Sequence, residues 1–241
     1  MFDPFKDFAT QGYLRNILQE KDARIIKQVE HELFIRHQSE VTKFLASQRT
    51  IGYSDFLAVH RMLFSEFYPW AGQDRATTMP DSLVSKADTM FCHPMDCRRA
   101  VEAGLRLGQD MGAMNQRPGE VMGLFAYGHP FLDGNGRTML LVHIELAHRA
   151  GFSIAWEKSS KTDYLAALSN EIKAPGRGTL DAYLLQHKGP CLDREEWGAA
   201  ILAMKGLDGQ DENNRIDGDL SDAAVAERYR EFEKQRGYRI P

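Results

Sequence analysis

The sequence has no long apolar stretch. Its apolar runs, such as residues 122–127 and 139–142, are far shorter than the roughly 20 residues that a membrane-spanning helix needs. We therefore expect no membrane partner. The opening residues MFDPFKD also lack the basic and apolar regions of a Sec-type signal. This predicts a cytoplasmic protein, with secretion by a specialised system left open.

A surplus of basic residues is absent as well. Lys and Arg number 30, Asp and Glu number 34, and the formal net charge is −4. Without a basic surplus to neutralise phosphates, a nucleic-acid partner is disfavoured. The three cysteines, Cys92, Cys97 and Cys191, lack the spacing of a zinc site. This pattern favours a reducing compartment.

Helical periodicity is present along most of the chain. It predicts two helices within residues 12–47, separated near Lys21, and a third that begins at Ser54 and ends before Pro69. Further helices are predicted over 94–114, 118–128, 163–172, 180–187 and 193–204. A nearly all-apolar stretch after Gly136 predicts a central, buried helix. Residues 71–86, with their Gly, Asp and Pro, predict a loop or a small β-hairpin. The fold class is therefore mainly α.

Composition divides the chain near residue 205. Residues 1–205 are predicted to form one domain. Residues 206–241 are predicted to be an acidic linker followed by a charged C-terminal helix that Ser221 caps.

The segment with candidate chemistry is HPFLDGNGR, at residues 129–137. Gly134 and Gly136 allow the backbone to approach a ligand closely, and the N–H groups that open the following helix favour anions. Arg137 adds a guanidinium suited to phosphate. Asp133 supplies a hard oxygen for Mg²⁺, and His129 can accept a proton near neutral pH.

Each of these residues has an ordinary structural interpretation when it is taken alone. A His before Pro commonly ends a helix, Gly-x-Gly is a common turn, and an Arg in a first helical turn usually faces solvent. Their convergence directly before an apolar helix favours the joint interpretation as a nucleotide-phosphate site.

The string HPFLDGNGR resembles the defining motif of the Fic (filamentation) family, His-Pro-Phe-x-Asp/Glu-Gly-Asn-Gly-Arg. The upstream sequence YPWAG at residues 68–72 is similar to the segment before that family's flap, and Arg75 stands where the family often has Arg. The resemblance covers roughly residues 3–187. It implies a Fic-type helical domain with a small β-hairpin flap.

The activity implied by the resemblance is protein adenylyltransfer, in which AMP passes from ATP to a Ser, Thr or Tyr hydroxyl of a target protein. His129 would then be the catalytic base, and Asp133 would hold Mg²⁺ on the phosphates. The implied nucleotide- and phosphate-binding residues are Gly134, Asn135, Gly136 and Arg137. The implied flap would dock the target by strand addition, with Arg75, Thr77, Thr78 and Lys86 as docking residues.

Two departures from the family pattern leave alternatives open. Leu140 stands where many nucleotidylating members have a second Arg. The alternative is a Fic-fold toxin or interaction module with an altered donor (UMP, phosphocholine or phosphate) or with little activity. The self-inhibiting pattern Ser/Thr-x-x-x-Glu-Gly/Asn is matched poorly, at Asp208, Glu212 and Asn213. Inhibition would then come from a separate antitoxin, from a homo-oligomer, or not at all.

The sequence generates one prediction for the base. Label from α-labelled ATP should reach protein in the wild type and be lost in His129→Ala. Because a solvent-facing loop residue contributes little packing, folding should stay nearly intact. A large fall in the thermal midpoint of the variant would show instead that the residue is structural.

Overall fold

The computed structural model describes residues 2–207 and 214–237. The helices are α1 (Phe8–Gln11), α2 (Ala23–Ser47), α3 (Tyr53–Phe64), α4 (Arg75–Thr78), α5 (Cys97–Gln109), α6 (Met111–Gln116), α7 (Pro118–Gly128), α8 (Asn135–Arg149), α9 (Lys161–Lys173), α10 (Thr179–Gln186), α11 (Trp197–Leu202) and α12 (Ala223–Arg236). Short antiparallel sheets complete the fold. The mainly helical prediction is confirmed.

The strands are β1 (Ser82–Lys86), β2 (Thr89–Met90), β3 (Phe152–Ile154), β4 (Lys188–Pro190) and β5 (Arg215–Asp219). One sheet has the order β2-β1-β5 and the other pairs β3 with β4. A small hairpin is present as β1 and β2, but it lies later than predicted, since β2 falls beyond residue 86. Its predicted first residues form α4 instead, because the Asp74 carboxylate caps that turn by accepting from the N–H of Thr77 at 3.1 Å.

Helix α8 lies at the centre of the molecule. Its side chains are buried along most of its length, including residues 139–142, as its apolar sequence predicts. Helices α2, α3, α5 and α7 pack against it. Within the described parts of the chain, no helix is both long and apolar enough to cross a membrane.

Several helix boundaries differ from the predictions because polar side chains cap the chain locally. The break near Lys21 is present, and Asp22 caps α2 by accepting from the N–H of Arg24 at 2.8 Å. The predicted helix before it is replaced by α1 and a single 3-10 turn at Tyr13–Arg15. The predicted helix over 94–114 is divided at Asp110, whose carboxylate caps α6.

The predicted acidic linker is corrected at residues 215–219, which form β5. This strand pairs antiparallel with β1, placing Ser82 opposite Asp219 and Ser85 opposite Arg215. The charged C-terminal helix is present as α12, although Asp222 rather than Ser221 caps it. Residues 208–213, and with them Glu212 and Asn213, lie outside the described residues. The division of the chain into two units stays a prediction.

Helix α12 packs against the helical domain through polar contacts. The Arg236 guanidinium lies 3.4 Å from the centre of the Tyr127 ring and donates to the carbonyl of Ile172 at 2.6 Å. The Tyr127 hydroxyl donates to Glu233 at 2.7 Å. The N–H of His93 donates to the Tyr229 hydroxyl at 2.9 Å. These contacts hold the C-terminal segment beside the β1–β2 hairpin.

The N-terminus of α7 is capped by another helix. Asp181, in the first turn of α10, accepts hydrogen bonds from the backbone N–H groups of Gly119 (2.7 Å) and Glu120 (3.0 Å). Because α7 ends immediately before His129, this cap stabilises the helix that leads into the candidate site.

Asp181→Ala should lower the free energy of unfolding by about 1–3 kcal/mol, since both N–H groups lose their acceptor. Urea denaturation measures the change. Glu195→Ala removes an exposed carboxylate and should change stability by less than about 0.5 kcal/mol. Equal effects of the two substitutions would contradict the capping role.

Candidate active site

His129 follows the last residue of α7 in the left-handed backbone region, at φ 38° and ψ 56°. Its ring stacks on Phe91 with centroids 3.6 Å apart, and only 8% of the residue is exposed. The expectation of a solvent-facing side chain is therefore wrong. His129→Ala should cost on the order of 2–3 kcal/mol by leaving a cavity. His129→Asn, which tolerates this backbone region, is the better inactive variant.

Arg75 supports this turn from inside the protein. It is fully buried, and its Nε donates to the carbonyl of His129 at 2.7 Å. Its Nη2 donates to the carbonyls of Cys92 (2.9 Å) and Gly128 (3.3 Å), and its backbone N–H donates to Pro130 at 2.7 Å. The expectation that Arg75 docks a target is corrected, because the side chain is enclosed and bonded to the loop.

His60 holds the other end of the loop. Its ring is fully buried and stacks on Phe131 with centroids 3.8 Å apart. The Nδ1 accepts from the N–H of Gly72 at 2.9 Å, so in the neutral ring the Nε2 carries the proton and donates to the carbonyl of Asp133 at 3.0 Å. Burial lowers the pKa of His60 to about 3, which keeps the ring neutral and fixes this arrangement.

The side chain of Asn135 closes the loop internally. Its Oδ1 accepts from the N–H of Phe131 at 2.9 Å. Its Nδ2 donates to the carbonyl of Phe131 at 2.8 Å and lies 3.2 Å from the Nε2 of His129. The polar atoms of this side chain are bonded within the loop, and a role for Asn135 in phosphate binding stays a prediction. The side chain orients His129, and the backbone N–H is what Asn135 can offer to an anion.

Gly134 and Gly136 form a bare backbone surface where α8 begins. Gly134 has φ +75°, and a Cβ there would lie 2.5 Å from Cε2 of Phe64. No other residue type fits that position without strain. A Cβ on Gly136 would meet no atom within 4 Å. An anion can therefore approach the N–H groups of the first turn of α8 closely.

Buried charges connect the loop to α2. The Asp133 carboxylate pairs with Lys27 and accepts a hydrogen bond from the N–H of Gly134 at 2.7 Å. The Nζ of Lys27 also lies 3.1 Å from the Glu30 carboxylate. Burial alone would raise the pKa of Asp133, but the charges of Lys27 and Arg137 hold it at about 2. Asp133 is thus ionised at neutral pH.

Glu30, the buried carboxylate beside Lys27, also orients Arg137. Its Nη2 donates to Glu30 at 3.1 Å, and the Tyr68 hydroxyl donates to Glu30 at 2.5 Å. Its Nη1 is buried and has no hydrogen-bond partner within residues 2–207 and 214–237. An anionic ligand would supply that missing acceptor.

A cleft of about 220 Å³ opens beside these groups. Part of its lining is charged and polar, with Lys27, Lys86, Asp133, Gly134, Gly136 and Arg137. Another part is apolar and aromatic, with Leu140, Trp156, Tyr164, Leu165 and Leu168, and Lys161 and Lys205 also line the cleft. This combination suits a ligand that carries phosphates at one end and a flat ring at the other.

The remaining expected docking residues lie on α4 and at the end of β1. Thr77 and Thr78 are on α4, and their hydroxyls donate to Asp74 at 3.0 and 3.1 Å. Lys86 ends β1 and lines the cleft. Roles for these three residues in target docking stay predictions.

Comparison with known proteins identifies the domain. The family model described as Fic/DOC matches residues 50–147, which include the loop at 129–137. Residues 50–147 are therefore the part of the chain that is similar to the Fic/DOC family. It is 29% identical over 174 residues to the protein adenylyltransferase VbhT of Bartonella schoenbuchensis, a match that covers 68% of this chain and 35% of VbhT.

Two further similarities agree with this family. The protein y4lH of Sinorhizobium fredii is 28% identical over 130 residues, covering 49% of this chain and 64% of y4lH. The crystal structure of the N-terminal Fic domain of a VirB-translocated effector from Bartonella quintana, with bound ADP, superposes with a TM-score of 0.61 at 18% identity. That match covers 81% of this chain and 96% of the other. The chain spans less than two thirds of VbhT and of y4lH.

The candidate base is kept neutral by its surroundings. Burial, together with the charges of Arg75 and Lys86, holds the pKa of His129 well below its usual 6.5, and Asp133 and Asn214 oppose that shift only in part. A neutral imidazole at physiological pH can accept a proton.

Sequence reasoning missed Lys27, Glu30 and the positioning role of His60. The available signal for Glu30 was its place on α2, four residues after Ile26 and three before Leu33, which are both buried. A carboxylate on the apolar stripe of an amphipathic helix indicates a buried ionic partner. The identity of that partner, 107 residues away along the chain, was not available from periodicity.

The His129 resonance should stay in its neutral form as the pH falls through 6.5, because its pKa lies well below that value. A ¹³C-histidine NMR titration of the free protein measures this, with the signal assigned by its loss in His129→Asn. A protonation midpoint at or above 6.5 would contradict the proposed environment.

Proposed function

We propose that this chain transfers AMP from ATP to a Ser, Thr or Tyr hydroxyl of a target protein. One observation carries the proposal: Arg137, whose buried Nη1 has no hydrogen-bond partner among the described residues, and the bare helix start at Gly136 both line the cleft, and the His129 ring lies in the same loop, 3.2 Å from Asn135. VbhT is named a protein adenylyltransferase, which supports the same activity.

The donor nucleotide is expected to bind with its phosphates at the charged part of the cleft. The first N–H groups of α8 and the Nη1 of Arg137 would each donate to phosphate oxygens. The purine would lie against Trp156 and Tyr164 in the apolar part. Because the space beside Gly136 is open, the α-phosphate can reach the backbone, which favours nucleotidyl transfer.

The oxygen ligands available in the cleft also fit Mg²⁺. Asp133 is ionised and lines the cleft. Within the described ranges no group of three or more His, Cys, Asp or Glu side chains could hold a metal, so the ion would bind to one carboxylate together with substrate phosphates, as Mg²⁺ commonly does. Such an ion would offset the negative charge of the phosphates.

The reaction then needs little covalent chemistry from the protein. The target hydroxyl oxygen bonds to the α-phosphorus while the bond from that phosphorus to the bridging oxygen breaks, and pyrophosphate leaves. The hydroxyl proton passes to His129. Asn135 and Arg75 hold that imidazole in place, and Glu30 holds Arg137. Positioning and electrostatic stabilisation supply the rate enhancement.

Incubation with ATP labelled at the α-phosphate tests the proposal. Label should reach the chain itself or proteins of a bacterial or host lysate with the wild type, and fall at least about 100-fold with His129→Asn. His37→Asn, at a histidine that pairs with Glu66 on the surface, is the matched control and should label normally.

The position of the label separates the alternatives. Transfer from γ-labelled but not α-labelled ATP would indicate a kinase-like activity. Transfer only from UTP or CDP-choline would indicate another donor, in line with Leu140 in the cleft. Protein that binds targets but accepts no label from any of these donors would contradict the enzymatic proposal and favour an interaction module or an antitoxin-controlled toxin.

A further inference from the structure

Strand β1 has two edges. β2 pairs with one of them, and β5 of the same chain occupies the other. β5 pairs with β1 from the Ser82–Asp219 pair to the Ser85–Arg215 pair. Beyond the strand, the N–H of Leu220 continues the pairing by donating to the carbonyl of Asp81 at 2.6 Å. A segment added to this edge from another protein would need the same backbone groups.

The residue before β5 reaches the candidate base. The side chain of Asn214 lies close enough to interact with the His129 ring, and its Nδ2 donates to the carbonyl of Leu132, three residues after His129 in the same loop, at 2.8 Å. It also lines the nucleotide cleft. A carboxamide therefore lies where a hydroxyl would have to lie to pass its proton to His129.

The strand is bound mainly through its backbone. Its side chains are exposed or half-exposed, including Ile216, so the strand itself buries little apolar surface. Most of the side-chain anchoring comes from α12, through Tyr229, Glu233 and Arg236. A strand held by backbone pairing, tethered by a helix, can leave the edge without disrupting the core.

We propose that residues 214–219 are an internal pseudo-target, which closes the flap edge and presents Asn214 at the acceptor position. The inference rests on the proposed function. If residues 214–219 mimic the target, the true target binds as an extended segment antiparallel to β1. Its hydroxyl residue then directly precedes the residue opposite Ser85, as Asn214 precedes Arg215. An amide cannot serve as the acceptor, because it has no hydroxyl, so the bound segment would be inert and inhibitory.

The register predicts that a hydroxyl at position 214 becomes a substrate. In Asn214→Ser or Asn214→Thr, the hydroxyl oxygen would bond to the α-phosphorus of ATP, pyrophosphate would leave, and the proton would pass to His129. Intact mass and peptide mapping after incubation of the full chain with ATP and Mg²⁺ should show one AMP on residue 214. The rate should not depend on protein concentration, since the reaction is intramolecular.

Two controls fix the interpretation. Asn214→Ala has no hydroxyl and should carry no AMP at that position. Asn214→Ser combined with His129→Asn should also carry none. If Asn214→Ser and Asn214→Thr label lysate proteins but never residue 214, the register is overturned while the proposed function stands. If neither the wild type nor any Asn214 variant transfers label to any protein, the proposed function fails, and this inference with it.

A second measurement does not depend on catalysis. Arg215 lies opposite Ser85, whose backbone groups face β5 because those of Val84 face β2. Arg215→Pro removes the strand N–H at this pair and should release β5, so hydrogen exchange at residues 82–85 should become several-fold faster than in the wild type. Arg215→Thr is the control and should leave exchange unchanged. Labelling of lysate proteins should rise several-fold in Arg215→Pro. Equal exchange in Arg215→Pro and the wild type, with both folded by circular dichroism, would contradict the closed edge.

Discussion

The candidate site depends on one buried cation. Arg75 distributes its charge over the carbonyls of Cys92, Gly128 and His129 rather than pairing with a carboxylate among the described residues. Those hydrogen bonds hold the chain in a sharp turn, with His129 in the left-handed region. The same charge disfavours protonation of the imidazole. One side chain thereby fixes the position of the candidate base and, after burial, which is the larger cause, helps to hold its pKa low.

A second constraint joins the N-terminal helix to the loop. Glu30 is enclosed by Lys27, Tyr68 and Arg137, so the carboxylate has partners on several sides. Removing one partner from such a cluster leaves a buried charge uncompensated, which is far more costly than losing a surface ion pair. Helix α2 is therefore part of the site, although the family match begins only at residue 50.

The sequence predicted the helical fold, the hairpin and the loop at 129–137 because these depend on local signals: periodicity, turn residues and a compact motif. It could not predict that Arg75 and Asn135 bond within the loop, since a motif names a residue without giving the direction of its side chain. It also missed β5. A short polar strand has no apolar alternation, and only its partner β1 makes it a strand.

We propose that a preformed cradle at the start of α8 binds the nucleotide's phosphates beside the imidazole. A crystal structure of the His129→Asn variant with an ATP analogue and Mg²⁺ would reveal where the nucleotide binds. We expect phosphate oxygens on the first N–H groups of α8 and on Nη1 of Arg137, with the purine against Trp156 and Tyr164. A nucleotide bound elsewhere, or phosphates that leave Arg137 without a ligand, would contradict this proposal.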